Sequence, residues 1–105
     1  MTDALLVFTT LPTADKAAEI AKLLVDEKLV ACANLLPAVR SIYRWQGKMH
    51  DENEVLVLLK TRAEQLERLK LRLLEVHPYE VPEVLAVPVE SGYQPYLEWL
   101  AGETK

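Results

Sequence analysis

Val55-Leu56-Val57-Leu58-Leu59-Lys60-Thr61 is an apolar run rich in strand-forming residues, and it is hydrophobic at both parities. A strand with one wet face alternates apolar and polar residues; a strand that does not alternate is covered on both sides. Upstream, Val39 to Trp45 alternates residue types and leads into Gln46-Gly47-Lys48, a turn pattern. The two runs therefore read as a long antiparallel hairpin, with polar Asp51 to Glu54 and the nearby His50 in its turn region.

Outward from this hairpin the pattern repeats. Ala4 to Thr10 is a short apolar run ending at Leu11-Pro12, and it reads as the first strand. Thr13 is a helix N-cap, and Ala17, Ile20, Ala21 and Leu24 recur at helical spacing, which predicts a helix to about Lys28. Val30 to Leu36 predicts a strand interrupted near Pro37, because proline cannot donate to a ladder. Beyond the hairpin, Leu66, Leu69, Leu73 and Val76 predict a second helix over Ala63 to Val76. Val84 to Val87 predicts a fourth strand, and Tyr93 to Leu100 a short closing helix.

The order strand, helix, strand, strand, helix, strand specifies an α+β, ferredoxin-like βαββαβ sandwich with a long hairpin between its second and third strands. At 105 residues the chain is a single domain, residues 1–105. Two helices cover one face of such a sheet. Yet Leu5-Leu6-Val7-Phe8 and Val84-Leu85-Ala86-Val87 are apolar at both parities, like the central run, so the second face needs a cover, most simply another subunit.

Composition narrows the function classes. Twelve basic residues against sixteen acidic ones leave a net charge of -4, and no segment gathers a basic stripe, so nucleic acid is excluded as an expected partner. The first apolar run is too short to span a membrane and follows acidic Asp3, so no membrane association is expected and the cytoplasm is the expected compartment. The single cysteine, Cys32, makes neither an intramolecular disulfide nor a closed zinc site, and its apolar neighbours mark it as a small buried hydrophobe. No Gly-rich phosphate loop, nucleophile elbow or His-x-x-x-His pattern is present, so no enzyme is expected.

The one stretch that gathers metal-binding chemistry is His77-Pro78-Tyr79-Glu80-Val81-Pro82-Glu83. Pro78 pushes His77 out of helical geometry, so imidazole and carboxylates sit together in a stiff turn. His77 is a candidate ligand for copper or another divalent cation, with Glu80 and Glu83 completing or orienting the site. Packing of a half-buried histidine in a proline-shaped turn is the simpler reading, because a lone histidine needs donors from elsewhere.

Several separated motifs in order, Leu29-Val30-Ala31-Cys32-Ala33-Asn34, Ser41 to Lys48, Glu54, Lys60-Thr61, His77 to Glu83 and Tyr96-Leu97-Glu98-Trp99-Leu100, closely resemble the CutA divalent-cation-tolerance family. The resemblance covers the chain from first strand to last helix. It implies a tight homotrimer, a role in the response to metal ions, notably copper, and no required cofactor. In animal relatives it also implies a link to anchoring of acetylcholinesterase. Copper sites proposed for bacterial members look like a first-strand cysteine with consecutive histidines before the proline. Here Thr9 and Val76 occupy those places, and only His77 carries over, which points to weak binding.

Two further arrangements are expected from the residues. Tyr43 and Trp45 share one face of the hairpin strand and suit packing or a subunit interface ahead of stacking on a ligand, while Arg44 points the other way. Lys60 and Glu54 read as an ion pair lining a cleft or as hairpin surface charges. A cleft between subunits lined by Arg44, Lys60 and Tyr79 is the mark of the rival function, a trimeric small-molecule sensor or signalling protein. A purely structural assembly trimer is the third reading.

Overall fold

The computed structural model describes residues 2–105. Its elements run β1 (Ala4–Leu11), α1 (Ala14–Asp26), β2 (Cys32–Trp45), β3 (Lys48–Arg62), a short 3-10 turn (Ala63–Gln65), α2 (Leu66–Val76), β4 (Leu85–Pro88) and α3 (Gln94–Glu103). The four strands form one antiparallel sheet in the order β2-β3-β1-β4, with α1 and α2 as the two crossovers of the βαββαβ plan.

Local chemistry sets the boundaries. Thr13 caps α1, its hydroxyl accepting from the Lys16 amide at 3.1 Å. The helix ends two residues short of the expected Lys28, because Lys28 turns the chain with a φ of 61° and cannot continue it. At the hairpin tip, Gln46 and Gly47 have φ of 49° and 78°, the positive values a tight two-residue turn requires. β3 starts directly after that turn.

His50 and Asp51 to Glu54 are thus strand residues, not a loop. They pair with Tyr43, Ile42, Ser41 and their neighbours, and Arg40 grips Asp51 through two hydrogen bonds of 2.8 and 2.6 Å. The pattern looked like a loop because the arm has no face buried by its own chain. Pro37 does not interrupt β2 either. The register slips between Leu36 and Val39, with Ala38 at a φ of 60°, so the missing proline N–H falls in a bulge and the strand runs on.

The core lies between the sheet and α1 and α2. Val7, Leu11, Leu24, Leu59, Leu69 and Leu73 are completely buried there, joined by Ile20, Val30, Val55 and Val57. α3 docks through Leu100 on Ala4 and Ala31, and its end is pinned at Thr104. Gln65 donates to the Thr104 carbonyl at 2.5 Å and Arg62 to the Thr104 hydroxyl at 2.8 Å. That anchorage extends α3 beyond the expected Leu100.

The opposite sheet face is apolar and bare. Directly paired residues share a face, which gives the rows Leu36, Leu56 and Thr10; Asn34, Leu58, Phe8 and Leu85; and Cys32, Lys60, Leu6 and Val87. Leu85 is 61% exposed and Val87 46%, and Tyr96 and Trp99 of α3 are also exposed. Among the described residues α3 reaches only the Ala4 and Lys60 end of this face, through Leu100 and Tyr96, and leaves Leu85 and Val87 uncovered.

Candidate functional site

Where β2 and β3 leave the body of the molecule, the turn after α2 folds against them. Pro78 forces His77 into extended geometry, with φ −72° and ψ 136°, and that ends α2. The imidazole then slides under the end of β1. Its Nε2 lies 2.9 Å from the Thr10 carbonyl and 3.2 Å from the Thr9 hydroxyl, and its Nδ1 lies 3.1 Å from the Tyr79 amide. An amide can only donate, so Nδ1 holds the lone pair and Nε2 carries the proton toward Thr10. Burial pulls the imidazole pKa below its ordinary value, with the Thr10 carbonyl and the Glu54 charge opposing in part. His77 is therefore a neutral ring with both nitrogens engaged.

Tyr79 continues the network. Its ring lies tilted against His77 with centroids 4.9 Å apart, and its hydroxyl donates to Glu54 Oε2 at 2.5 Å. Burial first, and then this bond, push the phenol well above its ordinary pKa. Glu54 is only 9% exposed although it opens an apolar strand run. On the arm, the Tyr43 hydroxyl donates to Glu52, which with lesser effects raises that phenol to about 12, and the Tyr43 ring stacks on His50 at 5.1 Å.

Between the arm and the turn is a cavity of about 620 Å³ lined by Tyr43, Trp45, Glu54, Tyr79, Glu80 and Glu83, among others, and by no Lys or Arg. Glu80 and Glu83 thus share one cavity, while His77 sits beneath its wall and is not part of the lining. Among the described residues no cluster of three or more His, Cys, Asp or Glu is placed to hold a metal ion. Within one chain Glu54 bonds to Tyr79 and not to Lys60. Lys60 lies instead on the bare sheet face, its ammonium 5.7 Å from the Tyr96 ring centre.

Arg44, opposite Met49 on the arm, and Lys60 are both absent from the cavity that Tyr79 lines, so within one chain the three do not converge. Cys32 is half-buried, beside Asn34 at 3.7 Å. Glu54 as partner of Tyr79 is the site feature that sequence reasoning missed, whereas Tyr43 and Trp45, read first as packing or interface residues and second as ligand-stacking ones, form part of the cavity wall. One signal was available. A carboxylate that opens an apolar strand must find a partner if it is buried.

A family model described as "CutA1 divalent ion tolerance protein" matches residues 5–103. The Divalent-cation tolerance protein CutA of Thermus thermophilus is 45% identical over 93% of this chain and 95% of its own length. Protein CutA of Homo sapiens is 45% identical over 93% of this chain, which spans only 55% of that longer protein. The crystal structure of CutA from Xylella fastidiosa superposes with a TM-score of 0.95 at 40% identity, covering 99% of this chain and 100% of that one.

Proposed function

The chain belongs to the CutA1 divalent ion tolerance protein family, and on that premise we propose that it is a homotrimeric, non-enzymatic protein of the divalent-cation response that binds copper or another divalent cation weakly. One observation carries the cation reading: Glu54, Glu80 and Glu83 line a single cavity that contains no Lys or Arg. One sign of charge in a cleft with apolar walls concentrates ions of the other sign.

Weak affinity follows from the donors. Glu80 and Glu83 offer carboxylate oxygens at the turn, but among the described residues no group of three or more ligands is placed to hold a metal ion, and copper prefers imidazole or sulfur. His77 contributes by fixing the turn, since its two nitrogens are spent on Tyr79, Thr9 and Thr10. The homotrimer is supported by the bare apolar sheet face.

Calorimetry with Cu(II) tests the site. Wild type gives a weak saturable isotherm, and Glu80→Gln combined with Glu83→Gln abolishes it. If the doubly neutralised variant retains the isotherm and His77→Ala loses it while still folded, the carboxylate assignment is wrong and His77 is the ligand.

A further inference from the structure

We propose that the cavity at the hairpin base is a binding site for a small organic cation, an amine or guanidine with an apolar or aromatic body. Three separate features point to that class. The volume, about 620 Å³, is that of a small-molecule pocket and far exceeds what a metal ion occupies. The walls include Tyr43, Trp45 and Tyr79, and Tyr43 and Trp45 stay 41% and 39% exposed although the Tyr43 ring stacks on His50. Aromatic faces attract cations as well as apolar groups.

The third feature is an anchoring carboxylate. Glu54 is nearly buried, and its Oε2 is held by the Tyr79 hydroxyl. Its Oε1 accepts no hydrogen bond among the described residues and is not fully buried, and Glu54 is part of the cavity lining. An ammonium or guanidinium supplies the donor and the charge that this oxygen lacks. Anionic ligands, nucleotides and phosphates among them, meet three carboxylates and no Lys or Arg in the lining. A neutral ligand leaves the Glu54 charge unpaired.

This site does not depend on metal binding at Glu80 and Glu83, because its anchor is Glu54 and its walls are the aromatic rings. Calorimetry on the full assembled chain, with EDTA present throughout to remove divalent ions, compares phenethylammonium with phenylacetate. The two share one aromatic body and carry opposite charge. Phenethylammonium is expected to bind saturably and phenylacetate at least ~10-fold more weakly, the scale of a charge-assisted hydrogen bond.

Glu54→Gln keeps an acceptor for Tyr79 and is expected to cost phenethylammonium a similar factor, with unfolding midpoint and oligomer size unchanged. Trp45→Leu, on the exposed arm, weakens the same ligand and serves if the Glu54 variant does not fold. Equal affinity for the two probes, binding of neither, or cation affinity indifferent to both substitutions overturns the proposal.

Discussion

The two faces of the sheet are built from the same kinds of residue and end in different places. On one face Val7, Leu11, Val57 and Leu59 are sealed under α1 and α2. On the other, Leu36, Leu85 and Val87 stand in water, with Leu6, Phe8, Leu56 and Leu58 between them. Burying a side chain of this size stabilises by about 1.5–3 kcal/mol. The helix face has collected that energy within one chain, whereas the bare face can collect it only from another molecule. Hydrophobicity along a strand thus reports that both faces are destined for cover, and not what the cover is.

Four substitutions break or sharpen the comparison. Leu85→Asp puts a charge on the bare face. If a neighbour covers it, the unpaired charge costs several kcal/mol per subunit and light scattering shows complete loss of the trimer. A change of no more than about 0.5 kcal/mol, with size unaltered, means that the face is solvent surface. Leu59→Ala on the helix face costs about 2–5 kcal/mol by denaturant unfolding, through lost burial and the cavity left behind.

At the boundary between the faces, His77→Gln costs about 1–3 kcal/mol at pH 7, because the Thr10 carbonyl and the Tyr79 amide lose well-placed partners. Wild-type stability carries a pH signature there. The folded imidazole has a lowered pKa, so the unfolded chain takes the proton first. This contribution is complete above about pH 6.5 and is lost as pH falls below it. Urea midpoints at pH 7.5 and 5.5 show a gap between wild type and His77→Gln that narrows on acidification; a constant gap removes His77 as the cause. Smallest of all, Arg40→Ala breaks an exposed pair on the arm and leaves the thermal midpoint unchanged within error.

The element order was legible because each core helix carries its apolar residues at helical spacing and each central strand is a compact apolar run. Boundaries slipped where one residue overrode a pattern, as Lys28 did at the end of α1 and Ala38 did in the bulge beside Pro37. The arm from Lys48 to Asn53 was unreadable as strand because none of its residues is buried, so periodicity had nothing to report. At the site, the stiff turn at His77-Pro78 was legible from proline stereochemistry. The Tyr79–Glu54 bond was not, since the two residues come from different elements and meet only when the turn packs on the hairpin.

By itself, then, the sequence determined an α+β chain of this order, a sheet apolar on both faces and a turn that brings imidazole and carboxylates together, because these follow from local stereochemistry and hydrophobic period. Tertiary structure alone decided that His77 spends both nitrogens on its own backbone and side-chain neighbours, that Glu54 keeps one oxygen free, and which sheet face stays bare. Hydrogen-bond partners and coverage are properties of groups distant in sequence, and only packing fixes which of them meet.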